Sequence, residues 1–380
     1  MNYSIDFFLD HQTESILLGI CIIAFLIQII YYLRYYLSLA KYKDPEVSKD
    51  LPPVSVIICA RNESKNLENN LYKILSQEYP SDFEVVVVND ASEDDSELVL
   101  AKLKREHTNL YYTTIPHDRQ FSHGKKLALT LGVKAAKNEH LIFTDADCVP
   151  QSNKWLCHMA NGLLQKDIVL GVGLYKKRKG LSNLLLRYDT FMIAVQYISF
   201  AIKKKTYMGV GRNMAYTKKT FYDTGGFKSH SHILSGDDDL FIQEAATKNN
   251  VAIVTNPDSF TLSESPNNFS EWCNQKKRHL TTSKHYKNKS KRLIGIEIFS
   301  RQLFWASAII SMFFSTFANA ILIVFFLKLL VQFLVLGKIS RNMGQKNIIW
   351  IGILLDFVLP IITGVLLMGS KRKVKSNRWT

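Results

Sequence analysis

The chain has 380 residues, 47% of them hydrophobic, and a formal net charge of +15. That length accommodates one sizeable soluble domain plus membrane segments, and no zinc-finger spacing or RNP-like string accompanies the charge, so no nucleic acid is expected as partner. Five scattered cysteines (Cys21, Cys59, Cys148, Cys157, Cys273) include no CxxC pair, which excludes a disulfide framework and structural zinc and fits a reducing cytosol.

Residues 1–14 carry no Lys or Arg, unlike a secretory signal with its basic start. Ser15 to Leu33 is apolar apart from Gln28 and tyrosine pairs, so a transmembrane helix is expected over 15–39. Arg34, Lys41, Lys43 and Lys49 follow it. The positive-inside rule then places residues 1–14 outside as a non-cytosolic tail and residues 40–302 in the cytosol.

Pro52-Pro53 opens a soluble domain expected over 52–290. Buried strands are expected at 54–60, 83–89, 110–115 and 140–144, with helices at 63–77 (capped by Asn62), 94–107 and 124–137 between them. This alternation implies an α/β fold with a mostly parallel, doubly wound sheet covered on both faces. Later elements are less regular: strands at 168–175, 210–216 and 251–255, and helices at 181–202, 240–247 and 269–285.

Residues 291–302 read as an interfacial amphipathic segment. The 303–336 tract exceeds one span and is expected to form a transmembrane hairpin turning near 315–319. Residues 348–368, which include Asp356 and Pro360, read as a transmembrane or re-entrant segment. The re-entrant form keeps the basic tail at 371–380 in the cytosol. Positive charge gathers at 276–292, 338–346 and 371–378, so anionic membrane lipids are expected partners.

Two acidic clusters carry the chemistry. Asp145 and Asp147 follow the strand at 140–144, where two carboxylates one residue apart can turn toward one hard divalent cation, Mg²⁺ or Mn²⁺. A polar loop is the plainer reading of the same residues. Asp237, Asp238 and Asp239 open a helix whose dipole favours negative charge, but one cap needs only one carboxylate. A general base for an acceptor hydroxyl is the functional reading. Asp90 ends its strand, at the carboxyl edge where such sheets bind ligands. It either contacts a nucleoside or caps a turn. Lys125, after Gly124, reaches a phosphate or is a solvated charge. Gly209, Gly211, Arg212 and Asn213 lack a dinucleotide fingerprint and mark either close backbone approach to substrate or a plain turn. Gln275 and Arg278 share one helix face, where Arg278 grips a diphosphate or faces the membrane with its basic neighbours.

Taken in order, the segment 54–63, Asn89-Asp90, Gly124-Lys125, Asp145-Ala146-Asp147, Gly236-Asp237-Asp238-Asp239-Leu240 and Gln275 to Arg278 resembles the membrane-bound family 2 glycosyltransferases, which include cellulose synthase-like and ceramide glucosyltransferase-like enzymes. The resemblance covers roughly 52–290. It implies a GT-A (nucleotide-diphospho-sugar transferase, Rossmann-like) domain flanked by transmembrane helices, a nucleotide-diphospho-sugar donor, UDP-sugar first, and inverting transfer to a lipid or lipid-linked glycan acceptor. It assigns Asp90 to the nucleoside, Asp145 and Asp147 to diphosphate and metal, and Asp237 to catalysis, a role Asp238 or Asp239 could share. Gln275 and Arg278 match the family's Q-x-x-R-W motif, but His279 stands where that motif has Trp, and Gly236 replaces a common Glu. The rival readings are a processive polysaccharide synthase and a catalytically inactive membrane adaptor.

Overall fold

The computed structural model describes residues 11–117, 124–233, 235–266, 268–314, 316–345 and 347–369. The tail expected over 371–380, and all but the last four residues of the one expected over 1–14, lie outside the described residues. The chain forms two units: residues 11–42 together with 287–366, and residues 43–286. The first helix, α1, runs from Gln12 to Lys41 and contains a π-helical stretch at Tyr31–Tyr36.

The second unit begins with β1 (Val54–Ala60), α2 (Ser64–Leu75), β2 (Phe83–Asp90), α3 (Ser96–Glu106), β3 (Leu110–Ile115), α4 (Lys125–Ala135) and β4 (His140–Asp145). All seven residues of β1 are buried, as a strand covered on both faces requires. Asn62 does not cap α2. It takes a positive φ of 55° and its side chain accepts from the Glu93 amide instead, while Glu63 precedes the helix.

Next come β5 (Cys148–Pro150), α5 (Trp155–Gln165), β6 (Ile168–Leu170), β7 (Gly173–Tyr175), α6 (Leu181–Ile202), β8 (Met214–Thr217) and α7 (Lys218–Asp223). The unit closes with α8 (Asp239–Ala245), β9 (Val251–Ile253), β10 (Thr261–Ser263) and α9 (Phe269–Ser283). The main sheet has the order β3-β2-β1-β4-β8-β6-β9, and a second sheet has the order β5-β10-β7. The first four strands are parallel, but β8 runs antiparallel to both β4 and β6, so the sheet is mixed. A core of Val56, Ile58, Val85, Leu71, Trp155 and Met159 lies between this sheet and α2 and α5.

The single strand expected over 168–175 is two strands in two sheets. Asn213 causes the break: its amide nitrogen donates to the Val172 carbonyl at 2.9 Å, and its side chain packs so closely on Gly171 that a Cβ there would meet it at 2.6 Å.

The first unit continues with α10 (Asn288–Phe314), α11 (Ala318–Asn342) and α12 (Ile349–Gly369). With α1 these are four helices long and apolar enough to cross a membrane. Residues 291–302, expected as a separate segment, instead form one unbroken helix with the residues after them, so the hairpin arms begin at 288 rather than 303 and end at 342 rather than 336. The reason lies on α1. Its Gln28 donates to the Glu297 carbonyl and to Ser300 Oγ, and its Tyr31 hydroxyl donates to the Leu293 carbonyl. Those contacts give 293–300 a helix to pack against.

Four ionisable side chains meet inside this bundle. Arg301 lies 3.2 Å from Glu297 and 3.2 Å from Asp356, and Lys328 is 2.5 Å from Asp356. The Trp305 indole donates to Asp356 at 3.0 Å. Two positive and two negative groups balance, a pairing usual for ionisable residues on membrane-spanning helices. Removing one partner of a buried pair typically costs about 3–5 kcal/mol, whereas replacing both by apolar groups is often neutral. Asp356→Leu should therefore lower the melting temperature in detergent, and Lys328→Met/Asp356→Leu should recover most of the loss. A double variant no more stable than the single would show the pair contributes nothing specific.

Candidate active site

Strand ends bring the expected residues to one edge of the sheet. Asp90 terminates β2 and Asp145 terminates β4, both at the carboxyl edge. Lys125 is the first residue of α4, and its Nζ lies 2.8 Å from Asp145 Oδ1 and 3.0 Å from Asp237 Oδ2. One ammonium thus joins the two acidic clusters. Burial opposes its charge, but Asp145, Asp237 and Asp238 outweigh burial and hold its pKa well above the usual lysine value. The crevice is lined by Cys59, Lys125, Thr144, Asp145, Gly211 and Asp237. Burial pushes the Cys59 thiol up; Lys125 opposes this and the charges of Asp145, Asp237 and Asp90 add to it, so Asp90 belongs to the same neighbourhood. Asp90 itself is fully buried, 3.9 Å from the Arg61 guanidinium.

Asp145, Asp147 and Cys148 place their ligand atoms within 4.8 Å of one another. The Cys148 thiol donates to Asp147 Oδ1 at 3.3 Å. Burial pushes the Asp147 carboxyl above its ordinary value and Asp145 adds to the effect, while Arg212 and Lys125 oppose it. Two close carboxylates, one of them under-compensated, are a donor set that fits a hard divalent cation.

The three carboxylates of 237–239 have different surroundings. Gly236 turns the chain into them with a φ of +94°, and a Cβ there would meet the Leu240 side chain at 2.6 Å. This conformation favours glycine. Asp237 faces the crevice; burial raises its carboxyl, but the charge and hydrogen bond of Lys125 prevail and hold it below the usual range. Asp238 accepts from the amides of Asp239 at 2.7 Å and Gly211 at 2.9 Å. Burial, with Asp237 and Asp239 beside it, pushes its carboxyl up to about 7. Asp239 accepts from the Leu240 amide at 2.8 Å, from the Tyr286 hydroxyl at 2.6 Å and from the Thr282 hydroxyl. Asp238 and Asp239 are thus held by backbone and hydroxyl donors, and Asp237 alone is paired with the crevice lysine.

Other expected residues fare unevenly. The Arg212 guanidinium lies over the Tyr175 ring at 5.0 Å and donates to Ser263 Oγ at 3.2 Å. Tyr175 in turn donates to Gln275 Oε1 at 2.9 Å, so Arg212 and Gln275 are linked through one tyrosine. Arg278 and His279 are exposed on α9, and among the described residues Arg278 makes no ion pair with a carboxylate. Asn213, expected among the donor contacts, is instead fully buried: its oxygen accepts from the Trp155 indole at 3.0 Å and its nitrogen donates to Val172 and Ser259 carbonyls. With its amide so engaged it is a core residue.

Sequence reasoning missed Tyr175, Lys126, Thr282 and Tyr286. Lys126 donates to the carbonyls of His230 and Ile233 at 2.6 and 2.8 Å, which fastens the segment leading toward Gly236. Two lysines in the first turn of a helix oppose its dipole, and that misfit was a signal that both have specific partners. Thr282 lies in the last turn of α9 and Tyr286 three residues beyond its end, so no helical spacing links the two in the sequence.

Comparison with known proteins identifies the family and the fold. The sequence pattern described as "Glycosyl transferase family 2" matches residues 55–225, and that described as "Glycosyl transferase family group 2" matches residues 141–367. The chain is 31% identical over 96 residues to the poly-beta-1,6-N-acetyl-D-glucosamine synthase of Staphylococcus epidermidis, covering 25% of this chain and 22% of that protein. It is 33% identical over 111 residues to glycosyltransferase AglE of Haloferax volcanii, covering 29% of this chain and 35% of that protein. The matched stretches thus span only 22% to 35% of these curated relatives. Among solved structures, the mannosyltransferase PcManGT from Pyrobaculum calidifontis, in complex with GDP-Man and Mn²⁺, has a TM-score of 0.60 at 20% identity, over 94% of this chain and 99% of that one. At that identity the likeness is one of fold.

Proposed function

The chain belongs to the family 2 glycosyltransferases and has their GT-A fold, and on that premise we propose that it is an inverting glycosyltransferase of the membrane, moving a sugar from a nucleotide-diphospho-sugar to a lipid or lipid-linked glycan. The observation that carries this reading is the single Lys125 ammonium between Asp145 and Asp237. In this reading one ammonium links a diphosphate-side carboxylate to a candidate base. A catalytically inactive adaptor has no use for that arrangement.

In this mechanism Asp237 takes the proton of the acceptor hydroxyl. The acceptor oxygen forms a bond to the anomeric carbon as the bond from that carbon to the diphosphate oxygen breaks. The electron pair leaves with the nucleoside diphosphate, and the anomeric configuration inverts. In this reading Asp90 holds the nucleoside, and Lys125 and Arg212 offer positive charge to the diphosphate. Asp145 and Asp147 would hold a divalent cation, Mg²⁺ or Mn²⁺, which when bound offsets the charge of the leaving group. Gln275 and Arg278 complete the donor side.

The charge step after α1 supports a cytosolic catalytic unit with the N-terminus outside. A single cysteine at position 2, in a cysteine-free background, should react with an impermeant reagent from outside the cell, and one at 288 should not. Labelling at 288 would remove cytosolic nucleotide sugar as the donor. The similarity to a poly-N-acetylglucosamine synthase favours processive synthesis as a second reading, and product length separates the two. The primary test is nucleoside diphosphate release by detergent-purified protein from a panel of UDP- and GDP-sugars with Mn²⁺ or Mg²⁺. Release from one donor, dependent on metal and on added membrane lipid, is expected; no release from any donor would count against the reading.

A further inference from the structure

Asp239 accepts two hydroxyl hydrogen bonds on one oxygen, Oδ2: from Tyr286 at 2.6 Å and from Thr282. Its other oxygen accepts from the Leu240 amide at the start of its own helix. Two O–H donors on one oxygen need a lone-pair acceptor, which an ionised carboxylate supplies in full. The Thr282 hydroxyl also lies 2.7 Å from the His279 carbonyl, so Asp239 and the end of α9 share one hydrogen-bond network, and both oxygens of Asp239 are engaged by neighbours. Thr282 is in the last turn of α9, the helix that carries Gln275 and Arg278, and Tyr286 is in the turn just after it. Asp239 stands two residues after Asp237. The Tyr286 ring is itself fixed, edge-on to Tyr207 at 6.0 Å, and the Tyr207 hydroxyl donates to Gln196 at 2.8 Å.

We propose that Thr282 and Tyr286 are positioning residues that act through Asp239, latching the turn that bears Asp237 to the end of α9. The latch sets the spacing between the base and the helix that supplies the donor-side Gln275 and Arg278. A base must lie within hydrogen-bond reach of the proton it takes, and small displacements of reacting groups cost turnover steeply. Neither hydroxyl lines the crevice, and Asp90, Asp145, Asp147 and Arg212 lie off α9, so the latch acts on the placement of the base far more than on donor affinity. This inference rests on Asp237 being the base.

The test uses the full-length protein in detergent, with Tyr286→Phe, Thr282→Val, the double variant and Thr282→Ser beside the parent and Asp237→Asn. Tyr286→Phe keeps the ring and its packing, and Thr282→Ser keeps the hydroxyl. Each single loss of a hydroxyl should lower kcat about tenfold, and the double variant by on the order of 10², with nucleoside diphosphate Kd and donor KM unchanged. Thr282→Ser should restore most of the turnover. A double variant with kcat within about twofold of the parent overturns the latch, as does a melting temperature that falls while kcat per folded molecule does not. A rise in nucleotide Kd matching the loss in kcat overturns it too, since the hydroxyls would then act on the donor. Inactive Asp237→Asn beside a fully active double variant removes the latch alone. Active Asp237→Asn removes the base assignment beneath it.

Discussion

Asp237→Asn should lower turnover by on the order of 10² to 10⁴, the usual contribution of a positioned general base. Asparagine keeps the size and much of the hydrogen bonding but cannot take a proton. Donor affinity should change little, because Asp90, Asp145, Asp147 and Arg212 remain. Lys125 loses one of its two ion pairs and keeps the 2.8 Å contact with Asp145. The neighbours provide the control. Asp238 caps α8 and accepts from Gly211, so Asp238→Asn should act mildly through that turn. Asp239→Asn weakens the hydroxyl latch and should fall between the two. Near-normal turnover in Asp237→Asn with collapse in Asp239→Asn would move the base two residues along. Equal mild losses in all three would make the cluster structural and favour the adaptor.

Asp147→Ala should remove the divalent-dependent part of nucleotide binding. The substitution deletes a hard oxygen ligand and leaves diphosphate charge facing Asp145 with less compensation. Loss of even an outer-shell metal partner costs about 10–100-fold in affinity, so a direct ligand should cost at least that. Titration of nucleoside diphosphate with and without Mn²⁺ or Mg²⁺, by calorimetry, reads this directly. In the variant the two curves should coincide near the weaker wild-type one. Wild-type binding that ignores metal would sink the assignment of Asp145 and Asp147.

The first half of the catalytic unit was legible because its strands are continuous apolar runs and its helices have regular periods. Val54–Ala60 and Phe83–Asp90 are buried almost throughout, and a run buried on both faces has few other structures open to it. The later strands have three or four residues each, too short for periodicity to speak, and Asn213 splits two of them from a distance. Nothing local to residues 168–175 announces that insertion. Asn213 was misread for the same reason, since a polar residue beside glycines resembles a substrate contact until its partners Trp155, Val172 and Ser259 are in place. The start of α10 was obscured by Lys289, Lys291 and Arg292, whose charges mask a helix that packs on α1 through Leu293 and Glu297 carbonyls. At the site, strand ends located Asp90 and Asp145, and spacing located the 237–239 cluster. The division of labour among its three carboxylates depends on Lys125, Gly211, Thr282 and Tyr286, which lie far from the cluster or carry no charge pattern of their own.

The most direct measurement is transfer of isotope-labelled sugar from the nucleotide donor into a lipid-extractable or glycan product by purified protein, run in parallel with Asp237→Asn. The account predicts label in the product for the parent, dependent on divalent metal, with the anomeric configuration opposite to that of the donor, and almost none for the variant. Equal label from both proteins, or a product that keeps the donor's configuration, would contradict it.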